Sequence, residues 1–287
     1  MRRSPPTIFF REVVTKNEAG QLQQVTTVEG LALWLCDAYT MRITGDASEP
    51  ACILLSGPPA AGKTGLMSQL VMHMVKKQSS GLVPILIKVQ QLQRLMLMDE
   101  HRGTFEASWN WVDAFLCCEH GVGSDTYCFL RQAIMARRAL LLLDGIDEGG
   151  QMRIQIERHV AEVLAPQGHV MLVTSRPAGL NVDCFNQGFF HHVQLCPLAD
   201  DQQQQVITQR LGAGAGSSEL IEYVNNMPRD DTGLRITANP LMLSMVISVF
   251  ESRGSVPATI SELYSTAAQA MLERADRKER SVVSVPD

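Results

Sequence analysis

The sequence predicts an α/β fold, a three-layer sandwich around a mostly parallel five-stranded sheet, followed by a small helical subdomain. Two observations carry this. Up to about residue 197, short apolar runs alternate with longer helical patterns, which is how strand–helix–strand units read. Beyond Pro197 no strand pattern occurs and only helical segments follow.

The elements are read in order along the chain. Thr7–Val14 is a candidate strand, Lys16–Gly20 a polar turn, and Gln23–Val28 a short following segment. Leu31–Met41 reads as a helix and Thr44–Pro50 as a turn-rich connection. The five sheet strands are Cys52–Leu55, Val83–Val89, Ala139–Leu143, Val170–Val173 and His192–Leu195. Helices are expected at Lys63–Gln78, Gln90–Glu100, Trp109–Glu119, Thr126–Arg138 and Gln151–Leu164. After Pro197, Leu198–Leu211 reads as a helix ended by the glycine run Gly212–Ser218, a flexible loop by composition. Helices follow at Glu219–Met227, Pro240–Ser252 and Thr259–Arg280, and Ser281–Asp287 reads as a disordered tail. No internal repeat is evident.

Composition narrows the function class. A length of 287 residues can bury a sizeable core, and 45% apolar with 19% charged residues is ordinary for a globular protein. A net charge of −5 argues against a general nucleic-acid binder, which is usually basic. Seven cysteines without C-x-x-C spacing suit neither a disulfide framework nor a zinc site. Cys117 and Cys118 read as packing residues; His191, His192 and Cys196 lie along a strand rather than around a metal. No apolar run reaches the roughly 18 residues of a membrane span. MRRSPPTIFF lacks the apolar stretch of a secretory signal. The expected setting is cytoplasmic and reducing, with no membrane partner.

The segment Gly57-Pro58-Pro59-Ala60-Ala61-Gly62-Lys63-Thr64 satisfies G-x-x-x-x-G-K-[ST], the loop whose backbone N–H groups cradle nucleotide phosphates. Glycines let the backbone approach the ligand. Lys63 sets a compact charge against the β- and γ-phosphates, and the Thr64 hydroxyl can ligate Mg²⁺. The helix after Gly62 points its positive end at the same anion. An apolar strand before the loop and an amphipathic helix after it fit the motif. Gly65, in the first helical turn, costs about 1 kcal/mol relative to alanine.

A second segment, LLLLDGIDE, ends an apolar run in Asp144, Asp147 and Glu148. Asp144 is the expected Mg²⁺ carboxylate, directly or through water. Glu148 is the expected general base for an attacking water, with Asp147 helping to set the magnesium shell. Three carboxylates beside a phosphate loop repel one another without a cation. A third segment, His169-Val-Met-Leu-Val-Thr-Ser-Arg-Pro177, brings Thr174, Ser175 and Arg176 to a strand's carboxyl end. A guanidinium there can distinguish tri- from diphosphate.

With ANPLMLSMV, these segments resemble the NACHT branch of the signal-transduction (STAND) NTPases, relatives of AAA+ proteins. The resemblance spans about residues 50–265. It implies a P-loop nucleotide-binding domain over 51–197 and a helical subdomain over 198–258, preceded by an extension of uncertain role at 1–50. Residues 259–287 would open a truncated winged-helix region and a tail. ATP or ADP is the implied ligand, with Pro240 contacting the adenine from a helix N-terminus that also favours proline. Family members carry a histidine to the β-phosphate of ADP in the winged-helix region; this sequence has none after His192.

The leading expectation is a Mg²⁺-dependent ATP/ADP switch with slow hydrolysis, self-associating through its nucleotide-binding domain, with protein partners unidentified. The alternatives are a P-loop kinase passing the γ-phosphate to a small acceptor, and a nucleotide-binding scaffold without turnover. A kinase of this type usually carries an arginine-rich lid, and none is visible between Val89 and Ala139.

Overall fold

The computed structural model describes residues 14–16, 22–25, 27–45, 52–77, 81–185, 188–254, 259, 261–262 and 265. The chain falls into two compact units, one within residues 8–196 and one running from residue 197 onward.

In the first unit, β1 (Val14–Lys16) and β2 (Leu22–Gln24) pair antiparallel. Then come α1 (Val28–Thr44), β3 (Cys52–Ser56), α2 (Lys63–Lys77) and β4 (Val83–Lys88). Four helices follow: α3 (Val89–Leu97), α4 (Asp99–Ala107), α5 (Trp111–His120) and α6 (Asp125–Met135). After β5 (Ala139–Asp144), α7 (Arg153–Arg158) runs into a π-helix, His159–Leu164, that leads to β6 (Val170–Ser175). The short α8 (Val182–Phe185) and β7 (Phe190–Gln194) complete the unit.

The main sheet has the order β4-β5-β6-β3-β7 and every pairing in it is parallel. Because side chains alternate across a strand, the sheet divides two cores. Ile53, Leu55, Leu140, Leu142, Val170 and Leu172 pack with α1 and α2 through Leu35, Leu66 and Leu70. Leu54, Ile87, Leu141, Leu143, Met171 and Val173 pack on the other face with Leu92, Phe115, Ile134 and Val160. The strands are covered on both faces, hence their continuously apolar runs.

Several predicted elements change shape. The helix expected over Gln90–Glu100 is two helices, broken at Met98, whose backbone is extended (φ −74°, ψ 128°). Asp99 and Glu100 start the second, where carboxylates favour a first turn. Gln151–Leu164 divides into a 3₁₀ turn (Gly150–Met152), α7 and the π-helix. Val14–Lys16 is strand up to the start of the predicted turn. That strand before residue 14, the turn at 17–20, the stretch after residue 45, most of Thr259–Arg280 and the tail lie outside the described residues.

The second unit contains α9 (Asp200–Leu211), α10 (Ala215–Asn225) and α11 (Pro240–Arg253). The glycine run is only partly loop: α10 begins at Ala215, and the Ser217 hydroxyl accepts from Gly214 N (3.1 Å) and donates to Gly214 O (2.8 Å). Inside this unit a buried chain of polar groups is fully paired. Thr237 Oγ1 donates to Gln203 Oε1 (2.7 Å), and Gln203 Nε2 to Leu198 O (3.0 Å). All seven cysteines are free thiols. Among the described residues no helix is long and apolar enough to cross a membrane.

Candidate functional site

Parallel strands put all their carboxyl ends on one edge of the sheet, where open α/β sheets bind ligands. β3 delivers the loop 57–62 to that edge, and α2 leaves it. Gly57 N donates to Ser175 O (3.2 Å) and Ala61 N to Pro58 O (3.3 Å), tying the loop to β6 and to itself. Gly62 has φ +96°, a conformation for glycine. Ala60 adopts φ +59°, strain of about 1–3 kcal/mol of the kind concentrated at ligand sites. Lys63 Nζ donates to Gly57 O (2.6 Å) and Pro58 O (3.0 Å), folding back over the loop. Thr64 is exposed and Gly65 half-buried in the first turn of α2.

The strand carrying the acidic segment is not the loop's neighbour. β6 lies between them, with Val173 level with both Leu54 and Leu143. At one strand spacing of ~4.8 Å per step, the ends of β3 and β5 stand ~10 Å apart. Asp144 is buried, and its Oδ1 accepts from Thr174 Oγ1 at 2.7 Å. That hydroxyl in turn accepts from Gly145 N at 2.8 Å. Thr174 and Ser175 are wholly buried. Thr174 thus holds the aspartate from a buried position at the strand end.

Beyond Asp144 a 3₁₀ turn, Ile146–Glu148, presents the remaining carboxylates. Arg176 clasps both: its Nε is 3.3 Å from Asp147 Oδ2 and its Nη2 2.9 Å from Glu148 Oε1. Its backbone N also donates to Asp147 Oδ1 (3.1 Å). The cation that relieves this acidic cluster in the structure is thus a side chain. Gly179 makes the close approach possible, since a Cβ there would lie 2.6 Å from Asp147 Cβ.

Electrostatics join the loop to the cluster. Burial pushes the Lys63 ammonium below its usual range; Asp147 opposes this, Arg176 adds to it, and Asp144 and Glu148 oppose it. The lysine and the three carboxylates lie within one another's fields. Among the described residues no group of three or more His, Cys, Asp or Glu is arranged to hold a metal. One hydroxyl (Thr64) and one carboxylate (Asp144) suit Mg²⁺, which keeps waters and phosphate oxygens as its other ligands.

Pro240 occupies the first position of α11, behind Asn239, whose Oδ1 accepts from Leu241 N (2.9 Å) and Met242 N (3.5 Å). It belongs to the second unit. Two residues near the edge carry no motif signal. One is Gly179. The other is Glu157, wholly buried one turn into α7 with Arg153 Nε at 3.6 Å. Burial pushes its carboxyl above the usual range; Arg153 and the Asn181 amide oppose this, and Asp147 reinforces it. In the sequence only the i,i+4 spacing of Arg153 and Glu157 hints at the pair.

The model of the NACHT domain matches residues 51–213, more than half of the chain. No curated protein matches it. Among solved structures, the chain is similar to a Signal Transduction ATPase with Numerous Domains (STAND) protein with a tetratricopeptide repeat sensor from Pyrococcus horikoshii. Identity is 13% over 81% of this chain and 32% of that one, with a TM-score of 0.45. The chain thus spans about a third of that protein's length. It is also similar to the Aeropyrum pernix Orc1 protein in complex with DNA (16% identity, 90% and 67% coverage, TM-score 0.46). A third similar structure is domain III of the Thermotoga maritima replication initiation protein DnaA (14%, 81% and 88%, TM-score 0.45).

Proposed function

The chain belongs to the NACHT domain family of nucleotide-binding P-loop NTPases, and from that premise we propose that it is a Mg²⁺-dependent ATP/ADP switch. It would hydrolyse ATP slowly and self-associate according to the nucleotide bound. We assign nucleotide binding to residues 51–197 and the helical subdomain to 198–258. The observation that carries the reading is the arrangement of Lys63, Asp144 and the Arg176–Asp147–Glu148 clasp on one sheet edge.

In this reading each charge trades an internal partner for a phosphate. The N–H groups of 57–64 cradle the phosphates, and Lys63 leaves the Gly57 and Pro58 carbonyls for the β- and γ-phosphates. Arg176 leaves Glu148 for the γ-phosphate, which only the triphosphate offers. That half-exposed pair contributes about 0.2–1 kcal/mol, so the exchange is cheap. Released, Glu148 can accept a proton from an attacking water. Asp144, held by Thr174, and the Thr64 hydroxyl would hold Mg²⁺, which when bound neutralises phosphate charge. A state in which Arg176 is drawn off the acidic turn exists only with the triphosphate, and such differential affinity is what a switch requires.

A fluorescent-nucleotide titration with Mg²⁺, run alongside Lys63→Ala, tests binding. Saturable binding by the intact chain, weakened at least ~100-fold (about 2.7 kcal/mol) by the substitution, is expected. No binding by the intact chain ends the nucleotide reading. Light scattering then tests the switch: equal mass and compactness with ADP and a non-hydrolysable ATP analogue would remove it. One observation favours phosphoryl transfer as a second reading. A cavity of about 570 Å³, lined by Lys88, Gln90, Gln93 and Arg94, opens where β4 ends level with Asp144. Transfer of labelled γ-phosphate to an acceptor faster than to water would establish it.

A further inference from the structure

At the amino ends of the strands, away from the phosphate loop, a second cavity of about 270 Å³ opens. It lies where the start of α5, the end of α6 and the turn into β6 meet, and Trp109, Arg131, Arg137, Gln167 and His169 line it. Two buried polar atoms there, Gln167 Nε2 and His169 Nδ1, have no hydrogen-bond partner among the described residues. His169 is only 2% exposed. The far end of the glutamine is committed: its Oε1 accepts from Asn110 Nδ2 (3.4 Å), while Asn110 Oδ1 caps α5 through Val112 N (2.9 Å). A buried donor left bare costs about 1–3 kcal/mol. Gln167 Nε2 is such a donor, and His169 Nδ1 in the same cavity donates or accepts according to its tautomer, so the fixed scaffold holds unmet hydrogen-bonding capacity there.

The scaffold is unusual for a purely structural corner. His159 stacks on Trp111 (centroids 4.2 Å, planes 11° apart) and accepts from Trp111 N at 3.1 Å. The π-helix that begins at His159 closes with Ala165 N donating to Val160 O. Gly168 N then donates to Ala165 O, turning Gln167 and His169 toward the cavity. Arg137 has φ +55° in the position after α6 where glycine is usual, with Arg138 N donating to Ala133 O. A guanidinium is set there at the cost of backbone strain.

Charge and shape choose the ligand. Asp113 is already engaged by Arg131 (3.4 Å) and by the Tyr127 hydroxyl (3.3 Å). Arg137 makes no ion pair among the described residues, and Arg42 lies against Gly168, its Nη2 2.5 Å from where a Cβ would stand. Both cations bear on His169, which burial, Arg137 and Arg42 together hold neutral, with a pKa down to about 4. The cavity therefore favours an anion. Its lining includes two exposed apolar side chains, Trp109, 69% exposed, and Met135.

We propose that this cavity binds a small flat acid, an aromatic or heteroaromatic ring carrying a carboxylate. The ring lies on Trp109, and the carboxylate takes the Arg137 guanidinium and the Gln167 amide. This site is separate from the nucleotide site and stands whether or not the switch reading holds.

The test uses the intact chain with 1-naphthoate, indole-3-acetate and the neutral 1-naphthamide, followed by calorimetry and tryptophan emission. Arg137→Gly removes the guanidinium and relieves the backbone, and Trp109→Ala alters an exposed side chain, so neither threatens the fold. Saturable binding of the acids is expected. It should weaken ~10-fold or more for the amide and in Arg137→Gly, the loss of one charged hydrogen bond. The emission change should vanish in Trp109→Ala. No saturable binding of either acid at millimolar concentration overturns the proposal. So does an affinity indifferent to both the carboxylate and Arg137, or an emission change that survives Trp109→Ala.

Discussion

The two edges of the same sheet treat their polar groups in opposite ways. At the carboxyl edge the charges are answered from within: Lys63 by loop carbonyls, Arg176 by Asp147 and Glu148, Asp144 by Thr174. At the amino edge Gln167 Nε2 and His169 Nδ1 are answered by no described residue. The difference teaches what each edge can do. Groups with exchangeable partners can alternate between two states at small cost, as a device reading ATP against ADP must. Groups with no partner gain from any ligand that supplies one, as a fixed binding site does.

Acid should separate the edges most. His159 and His169, both toward the amino edge, have folded-state pKa values lowered to about 4 by burial. The unfolded chain takes up protons near 6.5 and the folded chain does not, so stability is full above about 6.5 and falls as pH drops toward 4. The loss is on the order of 1–3 kcal/mol per histidine, readable in urea midpoints at pH 7.5 and 5. Glu157, beside the carboxyl edge, works with the opposite sign. Its raised carboxyl favours the fold at low pH, and that contribution fades as pH rises through the raised value. His169→Gln should flatten the acid limb, and Glu157→Gln should stabilise the chain at pH 7.5. A midpoint that holds steady or rises between pH 7.5 and 5 contradicts the assignment.

The next largest effect is local. Thr174→Val keeps the shape of the side chain but leaves the buried Asp144 Oδ1 and the Gly145 N–H without the hydroxyl between them. A loss of about 1–3 kcal/mol is expected, along with slower hydrolysis if Asp144 orients the nucleotide's cation. A stability unchanged within error would mean that water replaces the hydroxyl, and that Asp144 is not held as the structure suggests.

These residues also mark how far the sequence could be read. The strands and the loop were legible because continuous apolar runs ended in glycine or acid and G-x-x-x-x-G-K-T has a fixed spacing. Thr174 was legible as part of the edge, but not its role: T-S-R names a strand end without saying which neighbour a hydroxyl meets. The clasp of Arg176 on Asp147 and Glu148 depends on Gly179, three positions beyond the arginine and unmarked by any motif. The π-helix has no sequence period of its own, so Gln151–Leu164 read as one plain helix. The amino-edge cavity draws on residues 109–113, 131–137 and 167–169, which only tertiary packing brings together.

The smallest effect tests the amino edge through its backbone. An arginine at φ +55° pays a left-handed penalty that glycine does not, and its N–H already bonds Ile134 O as an ordinary helix ending would. Arg137→Gly should therefore be neutral or stabilising, by up to about 1 kcal/mol once the greater freedom of the unfolded glycine is counted. A residue kept only for folding would not sit where its replacement by glycine improves the fold. If the substitution instead destabilises by more than about 1 kcal/mol, well outside the usual range for an exposed side chain, the guanidinium serves the fold and the case for a ligand weakens. A variant that is more stable and yet loses its affinity for the acid would show strain retained for binding, the trade expected of a functional site.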